Sequence, residues 1–124
     1  MNRILVVDDS KEIRQLVSAT LSTDECEVIE AKDATEALQL CAELKPGLII
    51  MDVKMPGTID GIRATEMIKN SHDTAQCQVI MLSGIGGTKE IDQARNAGAV
   101  DYLKKPFSPL ELIEKVEATL GVKP

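Results

Sequence analysis

Ile4-Leu5-Val6-Val7-Asp8-Asp9-Ser10 decides how the rest of the chain is read. Four apolar residues in a row, with no polar alternation, suit a strand buried on both faces. The run stops on two carboxylates. The same arrangement returns further along. Leu48-Ile49-Ile50-Met51 leads to Asp52, and Val79-Ile80-Met81-Leu82 leads to Ser83. Tyr102-Leu103-Lys104 leads to Lys105, just before Pro106. Another apolar run, Val28-Ile29-Glu30-Ala31, ends on no comparable group.

Helical patterns fill the intervals. Ile13, Leu16, Val17, Thr20 and Leu21 follow helix spacing behind a Ser10 cap. Asp33 begins the next helix, with Glu36 placed for a capping box, and Pro46-Gly47 stops it. Ala34, Ala37, Leu38 and Cys41 form its inner stripe. Asp60 opens a third helix through Ala64, Met67 and Ile68. A short fourth carries Ile91 and Ala94 and ends near Gly98. Ser108-Pro109-Leu110-Glu111 is the clearest helix start in the chain: a cap, a proline in the first turn and a glutamate at its third position. Leu112, Ile113, Val116 and Leu120 line the buried face of that helix, and Gly121 closes it. Five strand–helix units imply an α/β fold with a parallel sheet covered on both sides, doubly wound through right-handed crossovers. No repeat or internal linker interrupts residues 1–124, so one domain is expected.

The bulk properties exclude several classes. A chain of 124 residues that is 44% hydrophobic can bury a real core. A net charge of -6 argues against nonspecific nucleic-acid binding, which needs basic patches. No apolar run is long enough to span a membrane, so no membrane insertion is expected, and no signal peptide is evident at the start. The cysteines Cys26, Cys41 and Cys77 are odd in number and lack paired spacing, which points to a reducing cytoplasm.

In an open parallel sheet, ligands bind at the carboxyl ends of the strands. Asp8, Asp9, Asp52, Ser83 and Lys105 all stand there. Magnesium takes hard oxygen ligands, usually one or two carboxylates and a phosphate, and keeps several waters. Three clustered carboxylates repel one another, and Mg²⁺ together with one ammonium balances them. A carboxylate in that setting can attack phosphorus, because the cations screen the approaching phosphoryl oxygens. Taken singly, Asp8 or Asp9 reads rather as a turn or cap residue. The ordered set points to the site.

At these residues the chain resembles the receiver domains of two-component response regulators. The matching pieces are Val6-Val7-Asp8-Asp9-Ser10, Asp52-Val53-Lys54-Met55-Pro56-Gly57, Ser83-Gly84 and Ala97-Gly98-Ala99, running on to Tyr102-Leu103-Lys104-Lys105-Pro106-Phe107. The resemblance covers essentially the whole chain. It implies a flavodoxin-like three-layer sandwich, (βα)5, with strand order 2-1-3-4-5, the order of a chemotaxis member of that family. It also implies roles. Asp52 resembles the phosphoacceptor, Asp9 a direct metal ligand and Asp8 a ligand through water. The backbone carbonyl of Lys54 resembles the third protein contact to the metal. Ser83 occupies the position of the hydroxyl that senses the phosphoryl oxygen, and Tyr102 the aromatic switch position. Lys105 resembles the lysine that pairs with the phosphoryl group, with a cis bond to Pro106.

Some neighbours carry plainer readings. Adjacent strand residues point to opposite faces, so Lys104 is a solvated lysine if Lys105 enters the site. Tyr102 on sequence alone is a half-buried strand residue. Phe107 reads as core packing, the lone His72 as a solvated loop residue, and Met51, Met67 and Met81 as core filler. Two departures from the family stand out. Met55-Pro56-Gly57-Thr58-Ile59-Asp60-Gly61 carries one residue more than many receivers have, which implies a longer loop beside Asp52. Ile85, two residues after Ser83, cannot orient a water as a polar group can, which implies slow self-dephosphorylation.

The expected function is a response regulator. It takes a phosphoryl group from a phosphohistidine of a sensor kinase, or of a phosphotransfer protein, onto Asp52 in a Mg²⁺-dependent reaction. It then binds a downstream protein through a remodelled surface. Its chemistry would be confined to its own phosphorylation and dephosphorylation. The Met1 start favours a natural amino terminus, and both a complete single-domain regulator and a receiver module of a longer regulator or hybrid kinase stay open. An adaptor on the same fold that is never phosphorylated is a rival, which the intact acidic set disfavours. A phosphatase of the haloacid dehalogenase type needs a second aspartate at position 10, where Ser10 stands. A flavin protein lacks ring-stacking residues, with one Tyr, one Phe and no Trp.

Overall fold

A computed structural model describes residues 2–84 and 87–121. The elements alternate throughout: β1 (Asn2–Val7), α1 (Lys11–Leu21), β2 (Cys26–Ala31), α2 (Ala34–Leu44), β3 (Leu48–Asp52), α3 (Gly61–Asn70), β4 (Gln78–Ser83), α4 (Thr88–Ala97), β5 (Asp101–Lys104) and α5 (Pro109–Leu120). All pairings are parallel and the strand order is β2-β1-β3-β4-β5, as the resemblance implies.

The apolar runs are continuous because each strand serves two cores. Leu5, Val7, Ile49, Met51, Val79 and Met81 face a cluster completed by α2, α3 and α4. Their alternates Ile4, Val6, Leu48, Ile50, Ile80 and Leu82 face a second cluster completed by α1 and α5. Edge strand β2 is less covered, and Glu27 and Glu30 are exposed on it. Cys26, Cys41 and Cys77 are all buried and free. Among the described residues no helix is long and apolar enough to cross a membrane.

Helix starts follow the side-chain caps. Ser10, Asp33, Asp60 and Ser108 each accept an amide hydrogen bond from the first turn they precede. Ser108 and Glu111 form the full capping box. At α2 the box is displaced by one residue. Asp33 accepts from the Glu36 amide at 2.9 Å, but the Glu36 carboxylate takes the Lys32 amide at 3.2 Å. That helix stops before Pro46, with Lys45 in the left-handed conformation at φ 46°.

Two inner positions are corrected. Leu16 is 37% exposed, because only Val17 and Leu21 of α1 are fully buried and the stripe is narrower than its periodicity suggests. Met67 is half-buried, while Ala64, Thr65 and Ile68 fill the buried face of α3. Phe107 packs half-buried against the cluster under α1 and α5, and His72 is exposed, both as read from sequence.

Ile50 lies fully buried in the central strand. Ile50→Ala is expected to cost about 3–4 kcal/mol, the lost transfer energy plus a cavity that a rigid sheet cannot close. A fall in the urea midpoint at unchanged slope checks this.

Candidate functional site

β1 and β3 are hydrogen-bonded neighbours, yet α1 leaves the sheet on one face and α3 on the other. Their carboxyl ends therefore open a crevice at the switch point. Register sets Val7 opposite Met51 and Asp52 opposite Leu82. Asp8, Asp9 and Asp52 thus meet at one rim. One carboxylate oxygen from each lies within 4.8 Å of the other two. Oxygens about 2.1 Å from a common centre fall within that span, so the group fits the hard-oxygen shell of Mg²⁺.

The three acids are not equivalent. Asp8 is fully buried and well satisfied: Oδ1 accepts the Ser10 amide at 2.9 Å, and Oδ2 accepts from Lys105 Nζ at 2.8 Å. Asp9 is exposed. Asp52 is 5% exposed, and its ion pair is with Lys105 at 3.2 Å. One ammonium thus serves two buried carboxylates. Burial, and then the charge of Asp8, push the Asp52 carboxyl up to about 6, against the lowering pull of Lys105; Asp9 adds a smaller push. For Lys105, burial alone would lower the pKa. The hydrogen bond to Asp8 and the charges of both acids outweigh it and hold the group above its ordinary value.

The other sequence-derived positions fall as follows. Lys104 is exposed and Lys105 turns inward, on opposite sides as strand alternation requires and in the order the resemblance implies. The Lys105–Pro106 bond is cis. The Lys105 amide donates to the Ser83 carbonyl at 2.8 Å, which ties the ends of β4 and β5 together beside the acids. Ser83 is 2% exposed, and its hydroxyl donates to the carboxylate of Glu90 in α4. Tyr102 is half-buried, with Lys115 Nζ 5.4 Å from its ring centroid, and Lys115 also pairs with Asp101 at 3.0 Å. Lys54 is exposed just past Asp52. Ile85 lies outside the described residues.

The longer loop after Asp52 is closed at its base, where the Gly61 amide donates to the Val53 carbonyl at 2.9 Å. Gly57 takes φ 99° at its tip. The extra residue is accommodated between these points, and the acids still converge.

Three supporting residues were not foreseen. Arg14 reaches back from α1, donating to the Asp8 carbonyl at 2.7 Å and pairing with Glu30 at 3.1 Å. Its only sequence signal was a position one helical turn past the Ser10 cap. Glu90 carried no signal beyond lying in a first turn. Gly61 is required by close approach: a Cβ there would lie 1.9 Å from the Asp52 carbonyl oxygen.

Comparison with known proteins agrees with this geometry. Residues 4–117 match the model of the response regulator receiver domain. The chain belongs to the response regulator receiver domain family. The receiver is 37% identical over 116 residues to Protein PilG of Pseudomonas aeruginosa, covering 94% of this chain and 85% of that protein. It is 36% identical to the phosphate regulon transcriptional regulatory protein PhoB of the same organism, covering 94% of the receiver but 51% of PhoB. The chain thus spans about half the length of several curated relatives it matches. Among solved structures, the chemotaxis protein CheY4 of Vibrio cholerae superposes with TM-score 0.89 at 31% identity, covering 96% of the receiver and 98% of CheY4. The receiver domain of NtrX from Brucella abortus superposes with TM-score 0.87 at 36% identity, covering 95% and 98% of the two chains.

Two outcomes follow from the crowded acids. Gly61→Ala is expected to destabilise the receiver by about 1–3 kcal/mol, since backbone must move to admit the methyl group. The Val53 amide resonance should shift with it. Asp52 carries a folded-state pKa of about 6 against an ordinary 3.8. The native state therefore binds the extra proton in that window, and stability falls as pH rises through it. Asp52→Asn should then raise metal-free stability near neutral pH by about 1–2 kcal/mol, with the gain shrinking toward pH 4. Denaturant titrations across that range test the sign.

Proposed function

We propose that the chain is a phosphorylation-controlled response regulator whose phosphoacceptor is Asp52. The observation that carries this reading is the shared ammonium: Lys105 reaches both Asp8 and Asp52, yet the Asp52 carboxyl is still raised to about 6. Near neutral pH that carboxylate is largely ionised yet poorly neutralised, as a nucleophile should be.

The donor is a phosphohistidine on a sensor kinase or phosphotransfer protein. A carboxylate oxygen of Asp52 forms the new O–P bond as the N–P bond to the donor imidazole breaks, and that nitrogen keeps the bonding pair. With the donor's other ring nitrogen protonated, the products are an aspartyl phosphate and a neutral histidine. Asp8, Asp9 and Asp52, with the Lys54 carbonyl, are the residues that would hold Mg²⁺. When bound, Mg²⁺ supplies electrostatic stabilisation of the transferring phosphoryl oxygens. Lys105 supplies the protein's own cation for the same oxygens. The hydrogen bond its backbone amide donates to the Ser83 carbonyl keeps it on the rim. Arg14 and the Ser10 amide hold Asp8 in place.

After transfer, the added charge draws Ser83 and Lys105 toward the phosphoryl group. Tyr102 turns toward the space Ser83 leaves, and the surface of α4, β5 and α5 changes the partner it fits. This is a shift between two pre-existing conformations. Activity is confined to the protein's own phosphorylation and loss of phosphate, in the cytoplasm where kinase phosphohistidines are reached. Residues 1–124 act as one receiver module, and a downstream protein docks on the remodelled face.

Incubation with acetyl phosphate and Mg²⁺ should add one phosphoryl mass. Asp52→Asn should abolish it, and chelation should stop it. Lys105→Ala should slow it by about tenfold or more, because the remaining cation acts alone. Labelling that survives Asp52→Asn overturns the assignment.

A further inference from the structure

The Ser83 hydroxyl has a single proton to donate. It is buried at the end of β4 and gives that proton to the Glu90 carboxylate in the first turn of α4. A glutamate at this helix position would ordinarily reach back to the cap residue's own amide. The cap here is Gly87, which makes no side-chain cap bond, and Glu90 turns instead to Ser83. The bond therefore ties the start of α4 to the strand end beside Asp52. It is also charge-assisted, and stronger than a hydroxyl bond to a neutral group.

We propose that Glu90 is a positioning residue that competes with the phosphoryl group for the Ser83 hydroxyl. The idea rests on the phosphoacceptor reading above. In the unphosphorylated protein the carboxylate accepts the hydroxyl's hydrogen bond and keeps the first turn of α4 anchored. Phosphorylation offers a second anionic acceptor at Asp52. One proton cannot serve both, so the exchange frees Glu90 and loosens α4. Glu90 thereby sets how far the resting equilibrium lies from the switched state, acting on phosphorylation through Ser83 and on the α4 surface through its own helix.

Glu90→Gln keeps the size and removes the charge-assisted acceptor. The expected result is about fivefold faster labelling of Asp52 by acetyl phosphate with Mg²⁺, as the competent state gains population. In the unphosphorylated protein, amides of the first turn of α4 should exchange faster with deuterium. Both effects should vanish in a Ser83→Ala background. Asp92→Asn, which removes an exposed charge from the same helix, should leave the labelling rate unchanged. The proposal is overturned if Glu90→Gln leaves labelling and exchange as in the parent. It is equally overturned if the acceleration persists with Ser83→Ala, or if Asp92→Asn reproduces it, since charge alone would then be the cause. If the parent protein takes up no phosphoryl group, the functional reading fails by itself, and the exchange comparison with and without Ser83 still decides whether Glu90 anchors α4.

Discussion

The site depends on one ammonium between two buried carboxylates. Asp8 and Asp52 stand where water is largely excluded, and removing such groups from water costs several kcal/mol each before any pairing. Lys105 offsets much of that, but unevenly. Asp8 gains the lysine and the Ser10 amide, and Arg14 secures its backbone carbonyl. Asp52 shares the lysine at the longer distance. The residual electrostatic burden therefore collects on Asp52. On the proposed reading, a metal ion or a phosphoryl group with its metal would relieve that burden, and the least comfortable acid would also be the one best placed to react.

The sheet tolerates this because its stability comes from elsewhere. Every central strand contributes to two apolar clusters, and the acids lie beyond the last of those residues. The rim is thus a load on a scaffold that does not need it. Gly61 shows how closely the scaffold is drawn around the load. Its amide closes the loop onto Val53, and its lack of a side chain lets α3 begin against the Asp52 carbonyl.

The parts of this arrangement legible in sequence were those with a periodic or one-sided cause. Continuous apolar runs marked the buried strands, and what terminated them marked the rim. Cap residues gave four helix starts. Strand alternation admits only one of Lys104 and Lys105, and the resemblance, with its lysine directly before proline, selected Lys105. The parts not legible were those set by contact between elements distant in sequence. Leu16 satisfies helix spacing but lies at the edge of the stripe, while Val17 and Leu21 beyond it are fully buried. Met67 is periodic too, yet Ala64, Thr65 and Ile68 take the buried face of α3. Arg14 and Glu90 are ordinary surface residue types, and only the approach of β1 and β4 to their helices gives them partners. The strand order itself came from resemblance, since periodicity says nothing of which strands adjoin.

The same contrast bears on where the molecule can move. Helix α5 has a full capping box and buries Leu112 and Val116. Helix α4 buries only Ala94 and Ala97, with Ile91 half-covered, and its glycine cap supplies no side-chain bond. Small residues bury little apolar area, so the packing term holding α4 is modest. Local opening free energies are lowest where apolar contacts are few. The weakly packed helix is also the one whose first turn is tied to Ser83. A hydrogen bond of ordinary strength is a large fraction of what holds such an element, though it would be negligible against the core of α5. On the proposed reading, a change of one acceptor at the rim would therefore reset α4 while leaving the sheet and the opposite layer in place.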